Sequence, residues 1–336
     1  MQEAHPFSKF IAILARGKTK TRSFTLAESE EAMGMILRGE VEPEQIGAFL
    51  MLMRLKEETP EEIAGFALGA RSSIDLPDEI PAVDIDWSSY AGKRRQLPWF
   101  LLSALLLARN GFKVFMHGTE GHTPGRVYTR ECLEELGIPI AGNLDEARGQ
   151  ILKSNFTYVP LEAIAPRLKD MIGLRPILGL RSPVHSFARM LNPFNAPAMI
   201  QGIFHRGFMD VHAGAAQYMG QPAASVFRGE GGEAERRPNK PCEIWTTHGS
   251  SGDPLVELWP RLSESGHHAA DESMNIADLA LVWRGEKHNA YAEASVTGTL
   301  AVALKLMGQA DSMESAQKMA DRLWEERDKS QLPQVA

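Results

Sequence analysis

Lys93-Arg94-Arg95 places three consecutive positive charges just behind Ser89-Tyr90-Ala91-Gly92 and just ahead of an apolar stretch that begins at Leu97. A cluster of this kind suits phosphate oxygens, whether on a small ligand or on a nucleic-acid backbone. Its ordinary alternative is a solvated helix cap. A second group lies in Val114–Gly137, VFMHGTEGHTPGRVYTRECLEELG, where His117, Gly118, His122, Thr123 and Arg126 sit among four glycines and a proline. Backbone N–H groups, a helix N-terminus and these side chains together suit an anion. Strand, glycine loop and helix also form an ordinary α/β connection that needs no ligand, and His117 could simply bond the backbone. Further on, Arg175 and Arg181 stand six apart around Gly179, with Pro176 and Pro183 nearby. Arginine offers a planar fork to carboxylate or phosphate, and an ion pair within the fold would explain both equally.

These groups need elements to hold them. Up to about residue 75 the pattern is helical only. Phe7, Phe10, Ile11 and Leu14 share one face; Thr25 and Glu28 form a capping box; Pro43 opens a third helix; and Thr59-Pro60-Glu61-Glu62 opens a fourth. Four short helices, each apolar on one side, predict a compact bundle. Pro77–Pro81 reads as a connector. From about residue 82 to the end the pattern becomes α/β, with strands expected at Val83–Trp87, before His117, at Phe156–Val159 and at Ala223–Phe227, and helices at Leu97–Asn110, Ala292–Met307 and Met313–Arg327. The fold class expected is therefore a small helical bundle domain (1–75) followed by a larger α/β domain (82–336) carrying a cleft in a mostly parallel sheet.

Composition sets bounds. With 336 residues, 43% hydrophobic and 24% charged, the chain can bury a full core and is neither fibrous nor disordered. The net charge of −7 excludes a protein basic all over but leaves room for a local basic face, because charges beyond about 8 Å are largely screened at physiological salt. Two cysteines, Cys132 and Cys242, are too few for a disulfide framework or a thiolate zinc site, so a reducing, cytoplasmic setting is the default. The longest apolar run, Leu97–Ala108, is too short for a bilayer and the N-terminus lacks a signal-peptide pattern. Further basic clusters at Lys18, Lys20 and Arg22 and at Arg236, Arg237 and Lys240 are either solvated turns and a surface loop or, if they share one face, additional phosphate contacts, and His267, His268 and His288 read as surface residues. Tyr90, Trp87 and Trp99 flank the basic loop. An aromatic beside arginines can stack bases of a single strand, though core packing explains both tryptophans more simply.

The sequence resembles glycosyl transferase family 3, which includes anthranilate phosphoribosyltransferase. The residues that carry the likeness are Arg16-Gly17-Lys18, Gly39-Glu40-Val41-Glu42-Pro43, His117-Gly118, Glu134–Ile138 and Leu191-Asn192-Pro193. The resemblance implies the family fold and places Arg175, Arg181 and His185 at acceptor-binding positions. It also exposes departures. The enzymes' pyrophosphate loop reads GTGGD, and here the place reads Ser88–Lys93. Their magnesium-binding Asp-Glu pair is replaced by Ala234-Glu235, which leaves Glu235 alone as a weak metal ligand. In these departures the chain is similar to the YbiB-type members, regarded as nucleic-acid binders. That likeness implies a homodimer assembled through the helical domain, with no cofactor required, and a DNA- or RNA-binding groove at Ser89, Tyr90, Gly92, Lys93, Arg94, Arg95, His117, Gly118 and Arg126. The alternative is a glycosyltransferase that uses phosphoribosyl pyrophosphate, with magnesium, on an aromatic or nitrogen acceptor. A third reading is a regulatory binder of a phosphorylated metabolite.

Overall fold

The structure is a computed structural model, and it describes residues 3–17, 19–263, 271 and 273–330. Four helices come first: α1 (Ser8–Ala15), α2 (Leu26–Arg38), α3 (Pro43–Lys56) and α4 (Pro60–Arg71). The expected start signals are realised in hydrogen bonds. Thr25 and Glu28 cap α2 reciprocally, and Thr59 and Glu62 cap α4. Glu62 is wholly buried and does more than cap: its carboxylate also accepts from the Phe24 N–H at 2.9 Å and pairs with the Lys56 ammonium at 2.7 Å. One side chain thus ties the entry of α2 and the end of α3 to the start of α4. Thr59→Ala is expected to cost about 1 kcal/mol through loss of the cap, read as a lowered urea midpoint with unchanged slope.

The α/β part continues with β1 (Ile85–Ser89), α5 (Phe100–Arg109), β2 (Val114–Gly118), α6 (Thr129–Glu135), α7 (Leu144–Ser154) and β3 (Phe156–Pro160). Short helices α8 (Leu161–Ile164), α9 (Pro166–Gly173), α10 (Arg175–Leu178) and α11 (Val184–Phe187) lead to β4 (Ala198–Ile203), α12 (Met209–Tyr218) and β5 (Ala223–Arg228). The antiparallel pair β6 (Cys242–His248) and β7 (Leu255–Trp259) follows, then α13 (Asp278–Arg284), α14 (Ala290–Leu306) and α15 (Met313–Glu325). Among the described residues these strands form one sheet, ordered β3-β2-β1-β4-β5-β6-β7, parallel from β3 through β5 and antiparallel beyond.

Both faces of the parallel part are covered, so its strands read as nearly unbroken apolar runs. Ile85, Trp87, Val114, Met116, Phe156, Tyr158, Ala198 and Ile200 pack on one side with α5 and α14. Phe115, Val159, Met199 and Ala224 pack on the other, in a core that also holds Phe7, Phe49 and Phe66 of the helical segment and Leu168 and Phe187 of the later short helices. The helical segment therefore packs beyond its own four helices. It shares a core with residues far along the chain, and Arg71 fastens it by donating to the Leu191 carbonyl at 2.8 Å.

The sheet brings the C-terminal ends of β1, β2 and β4 side by side, the place where open α/β sheets bind ligands. The order of strands reverses direction at β1, which has β2 on one side and β4 on the other. The loop after β1 opens at that point.

A crowded anion cleft as the candidate functional site

The loop after β1 is folded inward. Tyr90 is 1% exposed, and its hydroxyl bonds Nδ1 of the buried His117 at 2.8 Å, while His117 Nε2 faces Asp86 at 3.3 Å. Ser89 shares a hydrogen bond with Thr129 at 2.7 Å. Gly92 has φ +66°, and a Cβ there would fall 2.7 Å from the Tyr128 ring, so only glycine fits. Gly118 is equally constrained, since a Cβ would lie 1.9 Å from the Ser89 carbonyl oxygen.

The two amides that follow Tyr90 are already bonded. Ala91 N–H and Gly92 N–H both donate to Oε1 of Glu233, at 2.6 and 2.5 Å, and Glu233 is wholly buried. Glu233 is a site residue that sequence reading missed. Its only signal was a carboxylate two positions before Glu235, in a glycine-rich turn.

Lys93 also departs from expectation. Instead of facing solvent at the loop mouth it is 1% exposed and forms an ion pair with Glu235, which is itself fully buried. Glu235's second oxygen accepts from the Phe100 N–H at 2.9 Å, at the start of α5. Burial pushes the Glu235 carboxyl up to about 7, with Lys93 pulling the other way. An ammonium thus sits against the carboxylate that the sequence offered as a weak metal ligand. That arrangement does not fit a magnesium ion at Glu235, and among the described residues no cluster of three or more His, Cys, Asp or Glu side chains is placed to hold one. Of the three consecutive charges, only Arg94 and Arg95 are exposed.

Trp87 and Trp99 are core residues, 0% and 1% exposed, and Tyr90 is buried with them, so none of the three offers a face for stacking bases. Arg236 is buried above the Trp259 ring, 5.1 Å from its centroid, and is not part of a surface loop. Arg22 pairs with Glu28, whereas Lys18, His267 and His268 lie outside the described residues.

A second layer of cations lines the cleft. Arg126 donates to the carbonyls of Ala91 and Gly92 at 2.7 and 3.1 Å, and Arg189 to those of Gly202 and Gly232 at 2.9 and 3.1 Å. Arg175 donates to the His122 carbonyl at 2.7 Å and to Thr123 Oγ1, which Arg181 also reaches, at 3.2 Å. His185 packs edge-on to His122 with ring centroids 5.3 Å apart. The structure therefore brings together His122, Thr123, Arg126, Arg175, Arg181 and His185, all singled out in the sequence, and adds Arg189. None of the four arginines 126, 175, 181 and 189 makes a carboxylate contact within ion-pair distance among the described residues. Burial, then Arg175, Arg126 and Arg189, holds the Arg181 guanidinium below its ordinary value.

Burial holds His122 down to about 4, opposed by its bond to the Tyr90 carbonyl and aided by Arg181 and Arg189. His185 is held down to about 3 by burial and by His122. Both folded values lie below the unfolded value of about 6.5, so the unfolded chain binds more protons in between. The stability these groups contribute is complete above pH 6.5 and is lost as pH falls toward 4. His185→Asn removes one such group. The stability gap between wild type and His185→Asn should narrow by about 1.4 kcal/mol per pH unit between pH 6 and 4.5, measured by urea unfolding.

A helical segment sharing a core with a doubly covered, mostly parallel sheet, and a cationic cleft at the end of its first strands, define a phosphoribosyltransferase-like fold. Residues 8–74 match the helical bundle domain of the glycosyl transferase family and residues 100–326 match its a/b domain, so the chain belongs to glycosyl transferase family 3. It is 27% identical over 223 residues to an anthranilate phosphoribosyltransferase of Nitratidesulfovibrio vulgaris, a match covering 66% of this chain and 65% of that protein. It is 29% identical over 191 residues to the uncharacterized protein YbiB of Escherichia coli, covering 56% and 59%. The match thus spans less than two thirds of the length of these two curated relatives. Among solved structures, anthranilate phosphoribosyltransferase from Thermus thermophilus superimposes with a TM-score of 0.75 at 20% identity, covering 96% of this chain and 94% of that one. The Saccharomyces cerevisiae enzyme in complex with PRPP and Mg gives 0.74 at 16% identity, covering 96% and 94%. These two structural likenesses speak for the fold.

Proposed function

We propose that this family member binds the phosphate backbone of nucleic acid, without sequence specificity, and does not carry out phosphoribosyl transfer from phosphoribosyl pyrophosphate. The observation that carries the reading is the placement of charge. On a chain of net charge −7, four arginines at the cleft are bonded to backbone carbonyls or Thr123, and Arg94 and Arg95 extend from the loop into solvent. A local cluster of guanidinium groups that form no ion pair among the described residues is an electrostatic footprint for a polyanion.

Against transferase chemistry stands the loop itself. Transfer from a pyrophosphate-bearing sugar depends on amides that reach the departing anion and on a metal that offsets its charge. Here the amides hold Glu233, and Lys93 holds Glu235. The phosphate contacts in this reading come from Arg94 and Arg95, with Arg126, Arg175 and Arg181 deeper in the cleft, and not from Lys93. The reading includes a cytoplasmic homodimer paired through the helical segment, where Leu55 of α3 is 84% exposed.

Fluorescence anisotropy with a labelled single strand and a labelled duplex, across a salt series, tests the proposal. Micromolar or tighter binding that weakens steeply with salt is expected. No binding to either, together with saturable binding of phosphoribosyl pyrophosphate and magnesium, would replace this reading with the transferase.

A further inference from the structure

We infer that Glu233 is a resident anion: the loop after β1 forms an oxyanion site which the chain fills with its own carboxylate, closing it to phosphate-class ligands. The amide pair of Ala91 and Gly92 converges on a single oxygen, Glu233 Oε1, at 2.6 and 2.5 Å. Two adjacent N–H groups aimed at one point are the usual cradle for a bound anion. Two arginines brace the backbone beside it. Arg126 Nη1 bonds the carbonyls of Ala91, Gly92 and Gly231, and so straps the loop to the turn that carries Glu233. Arg189 bonds the carbonyl of Gly232 and lies close enough for the Glu233 charge to act on it. The second oxygen, Glu233 Oε2, is buried without a hydrogen-bond partner.

The backbone is shaped for this contact. A Cβ on Gly202 would come within 2.0 Å of the Glu233 carbonyl group, and one on Gly229 within 1.6 Å of its oxygen. Gly231 and Gly232 precede Glu233 with φ of +67° and +94°. Glycines on both sides let the Glu233 segment press against the end of β4, which fixes the carboxylate over the loop.

Removing the carboxylate should open the site without removing the cradle. Glu233→Ala leaves two buried N–H groups unpaired and should lower the melting temperature, whereas Glu233→Gln keeps an acceptor oxygen at Oε1 and should leave the plug in place. The expected result is chemical rescue. Formate, inorganic phosphate and pyrophosphate should each raise the melting temperature of Glu233→Ala in a saturable way at matched ionic strength. Wild type and Glu233→Gln should show no saturable rise. An equal response in all three proteins, or none in a folded Glu233→Ala, would overturn the inference. A companion measurement on wild type does not depend on the variant folding: hydrogen exchange at Ala91 and Gly92. Both amides should be protected at the level of the central strands and unaffected by pyrophosphate; rapid exchange, or protection gained only on adding pyrophosphate, would also overturn it. None of these readouts involves nucleic acid, so they can fail or succeed separately from the proposed function.

Discussion

Lys93→Met should destabilise the protein by about 3–5 kcal/mol at pH 8, the typical loss when one partner of a buried ion pair is removed and the other charge is left uncompensated. Lys93 and Glu235 are 1% and 0% exposed, and no solvent reaches the carboxylate to replace the ammonium. The loss should depend on pH with a definite sign. Glu235 titrates at about 7 in the fold, above the unfolded value of about 4.3, so stability linked to it is complete at low pH and drains away as pH rises through 7. Without Lys93 the folded value moves higher still, and the carboxyl remains protonated at pH 5. Denaturant titrations should therefore show the gap between variant and wild type widening by about 1.4 kcal/mol between pH 5 and pH 8. The double variant Lys93→Met/Glu235→Leu, which removes both charges, should recover most of the loss at pH 8. A loss that does not vary with pH would mean that Lys93 acts through packing alone.

Reversing Arg94 and Arg95 together to glutamate should weaken nucleic-acid binding by about tenfold or more at low salt and flatten its salt dependence. Each backbone contact contributes about 0.9 to the logarithmic slope on duplex and about 0.7 on a single strand. Two lost contacts should thus reduce the slope by about 1.8 on duplex and about 1.4 on a single strand. Both side chains are exposed and make no ion pair among the described residues, so the fold should tolerate the change with a shift in stability of about 0.5 kcal/mol or less. Unchanged affinity and slope would remove Arg94 and Arg95 from the interface. A change in affinity with an unchanged slope would point to a structural effect and not to lost phosphate contacts.

The contrast between Lys93 and its two neighbours shows what the sequence could and could not reveal. Helix starts at Thr25 and Thr59 were legible because a cap is a contact between residues three apart. Strands β1, β2, β3 and β5 were legible as short apolar runs between turn residues. Strand β4 was missed: it follows the irregular Asn192–Pro197 stretch, and its Gln201 and Gly202 interrupt the apolar pattern. Strands β6 and β7 were missed as well, since β7 leaves Leu255, Val256 and Leu258 exposed and so lacks the alternation expected of a half-buried strand. The site followed the same rule. Arg126, Arg175, Arg181 and His185 could be singled out because arginine and histidine in an irregular glycine-rich segment announce themselves by type. Glu233 and the burial of Lys93 were not, because both depend on contacts between residues 141 or 142 positions apart. Nothing local distinguishes a lysine that will meet phosphate from one that will meet a distant glutamate.

The central claim is that the chain itself fills the phosphate cradle, leaving the outer arginines to meet nucleic acid. Displacement tests it most directly: wild-type protein saturated with a labelled single strand is titrated with phosphoribosyl pyrophosphate and magnesium at constant ionic strength. The account predicts binding of the strand and no saturable loss of anisotropy up to millimolar competitor. Failure of the strand to bind, or stoichiometric displacement by micromolar phosphoribosyl pyrophosphate, would contradict it.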